Sequence, residues 1–367
     1  MAAQNSMNPI DVSRLGQINY AGGSIANDNA MFLKVFSGEV LQVFEEANVM
    51  MPLHTVRTIS SGKTAQFPVM GTASAKYHTP GESILGSGLD SSGSDGVLDE
   101  AKYLSKVKHA ERTISIDGTL VSSAFIADID EAKNHYDVRS GYTTAIGREL
   151  AYHSDRALIR TVIAGARATT DRFGVAAGTS TQFLGAQIDT TATGTGDSNQ
   201  VYDADDLVEG IAQAAQKMDE KNVPSEGRYC LLTPALYYTL VKSGNDAINT
   251  DFGGMGSIAT GEVAQVAGIR IMKSNHIPNS NEAGTIFDDA AIANNPFDAS
   301  GSAGYSANFS NTAGVIFQTE GVGTVKLLDL ALESEYQLDR LGTLMVAKYA
   351  MGHGVLREEC CYELITQ

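Results

Sequence analysis

Tryptophan is absent from the 367-residue sequence, and cysteine occurs only three times, as Cys230, Cys360 and Cys361. Three cysteines give no even disulfide framework, and their spacing does not match that of a zinc site. The adjacent pair could bridge only through a strained vicinal disulfide, so we expect all three thiols to be reduced. A small disulfide-stabilised scaffold and a cysteine-ligated zinc fold are therefore excluded.

Positive charge is also scarce. Lys and Arg together number 26 against 43 Asp and Glu, which gives a formal net charge of −17. An acidic surface repels polyphosphate, and this argues against nucleic-acid binding over the whole surface. No apolar run approaches the roughly 18 to 20 residues that span a bilayer, so we expect no membrane segment. Residues 1–11 have neither the basic nor the apolar region of a secretory signal, which indicates a protein kept in the cytoplasm of the cell that makes it.

Motifs for catalysis and cofactor binding are weak or incomplete. Gly62-Lys63-Thr64 matches the end of a phosphate-binding loop, but Arg57 replaces the leading glycine and the following residues continue as a strand. The glycine-rich stretch around Gly254 lacks the preceding strand of a dinucleotide site. The histidines show no metal-site spacing, although a site built from distant residues stays open; they are His54, His78, His109, His135, His153, His276 and His353. We therefore predict no catalytic residue, no cofactor and no metal.

The length allows about two compact units with extensions, at roughly 100 to 200 residues per domain. Apolar residues recur at three- and four-residue steps from Met31, which predicts an amphipathic helix that ends before Pro52. Asp137 can cap a second helix over residues 138–166, and at ~1.5 Å per residue this helix would span roughly 40 Å. Such a helix is long for a small domain, and we expect it to act as a spine.

Arginines accompany the predicted spine helix, at Arg148, Arg156, Arg160 and Arg167. Two interpretations stay open. In the first, the arginines are solvated and pair with Glu149 and Asp155. In the second, they form a weakly basic stripe that faces nucleic acid, to which Arg148, Arg156 and Arg160 would contribute.

Strand-like stretches at residues 64–69 and 111–117 flank a segment, residues 71–108, that is rich in Gly, Ser and Asp. This segment is too polar to form a core of its own. We therefore predict one long β-hairpin, residues 62–118, that projects from the body. Two strands alone are marginally stable in water, so the hairpin should lie on another subunit.

A second compact unit is predicted from residue 205 onward. It alternates a helix that begins at Asp205 and Asp206, a strand at 228–232, a helix at 234–241 and a strand at 268–272, which indicates an α/β unit. Residues 168–200 and 279–311 are typical of loops, the first with one short hairpin. Strand-like runs resume at 314–317, 323–332 and 345–364, and we expect the last to be broken at Gly352-His353-Gly354.

Several stretches match one family in order along the chain. They are residues 32–36, 38–41, 56–57, 60–63, 66–69, 77, 80–82, 116–118, 132, 134–140, 142–143, 323–327, 329–333, 347–354 and 356–357, of which Asn134-His135-Tyr136-Asp137-Val138-Arg139-Ser140 is the strongest. In these residues the sequence resembles the major capsid proteins of T-seven-type short-tailed phages (autographiviruses). Residues 86–98, which lengthen the hairpin, and Cys360-Cys361 depart from the family pattern.

The resemblance implies the Hong Kong 97 (HK97-like) fold, which is of the α+β class. Its expected parts are an N-terminal arm and helix (1–61), an extended loop formed by the hairpin (62–118), a peripheral domain (119–204) with the spine helix (138–166), an α/β axial domain (205–340), and C-terminal strands (341–367) that return to the peripheral domain. The expected contacts of the extended loop with a neighbouring subunit are Phe67, Tyr77, His78, Glu82, Lys106, Lys108 and Arg112.

The resemblance also implies a major capsid protein that forms hexamers and pentamers and closes an icosahedral shell around double-stranded DNA. A scaffolding protein and a portal protein would take part, with the shell assembled in the host bacterial cytoplasm and ending in the virion. Two alternatives stay open. One is a cellular nanocompartment shell of the same fold that encloses proteins. The other is an enzyme, either an α/β hydrolase or a metal-dependent enzyme built from scattered histidines.

Overall fold

A computed structural model describes residues 48–71, 107–129, 138–171, 184–189, 204–242, 265–283 and 304–366, with 73, 75–78, 80, 81, 173, 292, 296 and 297. The main strands within these ranges are β1 (Thr55–Thr58), β2 (Thr64–Met70), β3 (His109–Ser115), β4 (Leu120–Ala127), β5 (Ala186–Asp189), β6 (Arg228–Leu232), β7 (Gln265–Val266), β8 (Ile269–Lys273), β9 (Thr312–Gln318), β10 (Val322–Gln337), β11 (Gly342–Val355) and β12 (Cys361–Ile365). The main helices are α1 (Val138–Ala166), α2 (Ala204–Glu220) and α3 (Pro234–Lys242). Short 3₁₀ turns lie at Met51–Leu53 and Glu358–Cys360.

A four-stranded sheet has the order β1-β10-β11-β4. Its centre is the long antiparallel hairpin of β10 and β11, which β1 extends in parallel and β4 extends in the antiparallel sense. The N-terminal half of α1 packs on this sheet, because Ile146 and Leu150 are one helical turn apart and share a face. They meet Ala124, Ala347 and Tyr349 in a buried cluster.

A six-stranded mixed sheet has the order β5-β12-β9-β6-β8-β7 and lies between α1 on one face and α2 and α3 on the other. Strand β9 shows why, since its successive side chains point to opposite faces. Val315 and Phe317 pack against the C-terminal half of α1, whereas Ile316 packs with the apolar stripe of α2 that includes Ile211 and Met218. Helix α1 therefore contributes to the cores of both sheets, as predicted for a spine.

Two expected boundaries of the axial domain are wrong. Strand β10 was expected within residues 205–340, but it pairs with β11 and β1 in the four-stranded sheet. The C-terminal strands were expected to return together to the peripheral domain, yet only β11 does so, while β12 is inserted between β5 and β9 of the six-stranded sheet. In each case a partner far away in the sequence takes part in the pairing, β1 for β10 and β5 for β12.

Strand β11 is not broken at its glycines. It continues through Gly352 and Gly354 to Val355, where it pairs with Val322. A Cβ atom on Gly354 would lie 2.8 Å from the Cγ1 of Ile114, so the glycine allows β3 to approach this strand closely. The bounds of α1, β2, β6 and α2 confirm the predictions for those elements to within a few residues. Residues 31–47 of the helix predicted before Pro52 lie outside the described residues, and a 3₁₀ turn begins at Met51.

Candidate assembly surface: the extended hairpin and the spine helix

Strands β2 and β3 form the predicted hairpin. They pair in antiparallel register from Thr64 and Ser115 at the base to Met70 and His109, and the amide of Gly71 donates to the carbonyl oxygen of Lys108 at 2.8 Å. Within the described part of the chain these two strands form a sheet of their own. Their outer backbone groups present edges that can pair with another strand, although on β2 the carbonyl oxygen of Gln66 accepts from the guanidinium of Arg57 at 3.0 Å and Pro68 has no N–H.

The base of the hairpin is fixed to the body by an apolar contact. Ala65, Ile114 and Ile116 pack with Val325 and Ala350 of the four-stranded sheet. Ile114 keeps 2% of its surface exposed, so the base is a true part of the core. The hairpin therefore projects from a rigid attachment.

Two predicted contact residues bind within their own chain. The guanidinium of Arg112 forms an ion pair with Glu358, whose side chain is 4% exposed. The ring of Phe67 is half-buried and lies 5.5 Å from the guanidinium carbon of Arg57. Both residues hold the hairpin base on the body, whereas the sequence predicted contacts with a neighbour.

Other predicted contact residues point to solvent. Tyr77 is fully exposed, at 103% of its reference area. Met70 on β2, which was not among the predicted contacts, is 63% exposed. His78 and Lys108 are exposed as well. Glu82 and Lys106 lie outside the described residues. An exposed tyrosine offers a large apolar ring and a hydroxyl that can bond to a partner.

The prediction that Arg160 faces nucleic acid is wrong. Its side chain is 0% exposed, and it forms an ion pair with Glu282 and lies 5.4 Å from the ring centre of Phe309. Burial lowers the pKa of Arg160 to about 10, against the opposing effect of its hydrogen bond to Glu282. Arg156 binds the same carboxylate at 2.7 Å. Their partner was not foreseen because Glu282 lies in a loop far along the chain.

The remaining spine arginines differ from each other. Arg167 pairs with Glu363 of β12 at 2.6 Å, so the pairing with Glu149 or Asp155 that the sequence suggested does not describe it. Arg148 has an exposed side chain. Of the three arginines predicted to face nucleic acid, Arg148 is the one whose position suits that role, and its contact with DNA stays a prediction.

Several histidines belong to buried hydrogen-bonded clusters. His54 and His353 both bond to the hydroxyl of Thr324, at 2.6 and 2.8 Å. His353 and His153 also line a cavity of about 120 Å³ beside Asp117. Among the described residues, no group of three or more His, Cys, Asp or Glu side chains has a geometry that could hold a metal ion.

The described helices include none that is both long and apolar enough to cross a membrane. The long helix α1 illustrates this, because Arg148, Arg156 and Arg160 interrupt its apolar residues. Its length allows it to pack on both sheets.

Two sheets joined by a long helix, with a hairpin projecting from the junction, define the class of HK97-like shell proteins. Solved capsids share this architecture. The capsid of cyanophage P-SCSP1u superposes with a TM-score of 0.69 at 35% identity, over 100% of this chain and 97% of that one. The mature capsid of bacteriophage PhiM1 superposes with a TM-score of 0.63 at 15% identity, over 96% and 91% of the two chains, which supports the fold alone.

The chain belongs to the Gp10A-like family of major capsid proteins, whose family model matches residues 66–365. The major capsid protein of Escherichia phage T7 is 34% identical over 335 residues, which are 90% of each chain. That of Enterobacteria phage T3 is 33% identical over 362 residues, which are 96% of each chain. These findings confirm the resemblance and the fold class.

Membership of this family decides between the alternatives that the sequence left open. The chain is a structural subunit of a phage shell and a component of the virion, and it is not an enzyme. The hydrolase, the histidine-based metalloenzyme and the cellular nanocompartment are therefore discarded. Self-association into a shell follows from its family and from the capsid structure of cyanophage P-SCSP1u, which is 35% identical.

Proposed function

We propose that this chain forms hexamers and pentamers that close an icosahedral shell around double-stranded DNA. The observation that carries the proposal is the hairpin of β2 and β3, a two-stranded sheet with open edges and an exposed Tyr77 beyond it. Its base packs on the body, whereas Met70 and Tyr77 beyond the base are exposed. A second copy of the subunit is the partner that pairs with the strand edges and covers Tyr77.

The geometry of ring closure supports this assignment. A hairpin placed on the next subunit is a heterologous contact, because the surface that gives and the surface that receives are different. Such contacts close into rings when the rotation between subunits permits it. The open strand edges can extend a neighbour's sheet, while exposed Lys108 and His78 select the register.

The charge of the subunit supports weak contact with packaged DNA. A net charge of −17 repels phosphate over most of the surface. Of the three arginines predicted to face DNA, Arg156 and Arg160 share the carboxylate of Glu282, and Arg148 stays exposed on α1. Few cations then face the DNA, so that contacts with it are non-specific and weak.

The family resemblance supports the remaining parts of the proposal. Assembly would use a scaffolding protein and begin on a portal, in the cytoplasm of the host bacterium. The subunit would then end in the virion of a short-tailed phage.

The test removes the outer hairpin and keeps its base. Gly71 and Lys108 are already hydrogen-bonded across the strands, so an Asn-Gly type I′ turn can join them in place of residues 72–107. We expect a folded subunit that forms no closed shells, since the apolar base around Ile114 is intact. Size-exclusion chromatography and electron microscopy report the shells, and circular dichroism reports the fold. Closed shells from this variant would refute the role of the hairpin.

A further inference from the structure

A carboxylate lies buried in the middle of the spine helix. The side chain of Asp155 is 0% exposed. Leu158 and Ile159, about one helical turn further along α1, belong to the apolar core. Burying a charge in such a place is costly unless the charge accepts hydrogen bonds. Asp155 must therefore be explained by what it binds.

The partners of Asp155 come from two other parts of the chain. Its Oδ2 accepts a hydrogen bond from the amide of Val49 at 2.8 Å, and its Oδ1 accepts one from the amide of Met50 at 3.1 Å. Oδ2 also lies 3.0 Å from the Nδ1 of His276, in the segment that follows β8. The ring of His276 is held edge-on against Tyr152, with centroids 4.9 Å apart.

Two oxygens that bind two successive amides fix the orientation of two peptide planes. A single acceptor would leave the segment free to rotate about one bond. After this point the chain is fixed further, because Met50 is fully buried, His54 bonds to Thr324, and β1 pairs with β10. Asp155 thus fixes the backbone shortly before β1 joins the four-stranded sheet.

We propose that Asp155 is a positioning residue, which fixes the backbone of Val49 and Met50 where the chain approaches β1 and couples that point to the α/β unit through His276. The proposal rests on the proposed function, because β1 leads directly into the hairpin that is proposed to build the shell. Asp155 has no part in the hairpin contact. It acts through the backbone of Val49 and Met50.

The substitution Asp155→Asn tests this with almost no change in volume. An amide group has one oxygen and one NH₂, so one of the two backbone N–H donors would face another donor. Hydrogen bonds to a charged group are stronger than those to a neutral one, and the second bond is weakened as well. In isolated subunits we expect the amides of residues 49 and 50 to exchange with deuterium at least tenfold faster, with β9 and β12 unchanged.

Asp339→Asn is the matched control, since it removes one charge from an aspartate whose side chain is 59% exposed. It should leave exchange at residues 49 and 50 as in the unmodified chain. Asp155→Asn should also lower the yield of closed shells seen by electron microscopy, whereas Asp339→Asn should not. A folded Asp155→Asn subunit with unchanged protection at residues 49 and 50 would overturn the proposal.

If Asp155→Asn also loses protection from hydrogen exchange throughout β9 and β12, the substitution has unfolded the subunit. The proposal is then tested on the unmodified chain. Its amides at residues 49 and 50 must then exchange at least tenfold more slowly than in a free peptide. Exchange at the free-peptide rate would refute the anchor. Because exchange is measured before assembly, this result is independent of whether the hairpin builds shells.

Discussion

Two buried histidines, His54 and His353, share the hydroxyl group of Thr324. Thr324 on β10 lies opposite His353 on β11. The carbonyl oxygen of Met50 can only accept, so the Nδ1 of His54 carries a proton and its Nε2 accepts the hydroxyl proton of Thr324. The same hydroxyl oxygen then accepts from the Nδ1 of His353. This assignment satisfies all three groups when both rings are neutral. A further proton on the Nε2 of His54 would leave the hydroxyl hydrogen of Thr324 without its acceptor.

Acidification should also destabilise the subunit through His353, because its burial disfavours the charged ring. Burial lowers the pKa of His353 to about 3, below the value near 6.5 of the unfolded chain. The unfolded state binds the proton first, so this stabilisation is complete above about pH 6.5 and is lost as the pH falls toward 3. Between pH 7.5 and 5.5 the loss is about 1.4 kcal/mol for this one group.

His353→Gln isolates that contribution, because glutamine does not titrate. We expect the difference in free energy of unfolding between the unmodified chain and His353→Gln to shrink by about 1.4 kcal/mol from pH 7.5 to pH 5.5. Urea denaturation at the two pH values measures it, and other titrating groups cancel in the comparison. An equal difference at both pH values would contradict the assignment.

At the scale of elements, the contact of β3 with the four-stranded sheet determines how the hairpin is held. Ile114→Ala removes a side chain that packs on Val325 and Ala350, and it should cost about 2 to 4 kcal/mol. Hydrogen exchange should accelerate in β2 and β3 while β9 keeps its protection. Val121→Ala on β4, where the side chain is 53% exposed, is the control and should change little. Uniform loss of protection in β9 would show that the hairpin base is not a separate unit.

Elements defined by local pattern could be predicted from the sequence. The bounds of α1 and β6 agree with prediction because the helical period, the flanking residues and the short apolar run are all local signals. The fully exposed Tyr77 was also found, as part of a segment too polar to form a core. The family resemblance supplied the assembly that local signals lack.

Features that depend on distant partners could not be predicted. Arg160 has the same local pattern as an exposed helical arginine, and only the fold brings Glu282 to it. Strand β12 is an apolar run that either sheet could have accepted, and its place beside β9 depends on long-range register. Asp155 was considered as a partner of arginines, whereas its actual partners are backbone amides.

At the scale of the whole molecule, Tyr77 should matter for assembly and not for folding. Tyr77→Ala removes a ring with no contact area in its own chain, so the free energy of unfolding should change by less than about 0.5 kcal/mol. Light scattering during assembly should show a higher protein concentration needed to form shells, because we propose that the ring is buried on a neighbour. Tyr238→Ala on α3, where the side chain is 43% exposed, is the size-matched control. Equal assembly by Tyr77→Ala and the unmodified chain would exclude Tyr77 from the contact.

The position of β12 has a consequence for synthesis. In the six-stranded sheet, β12 lies between β5 and β9, yet it is the last of those strands to leave the ribosome. Until it emerges, β9 has an unpaired edge and β5 has no partner among the described strands. We expect the α/β unit to complete its sheet only after translation has passed residue 365. We therefore expect nascent chains to stay out of a growing shell, since they cannot yet present a finished subunit to it.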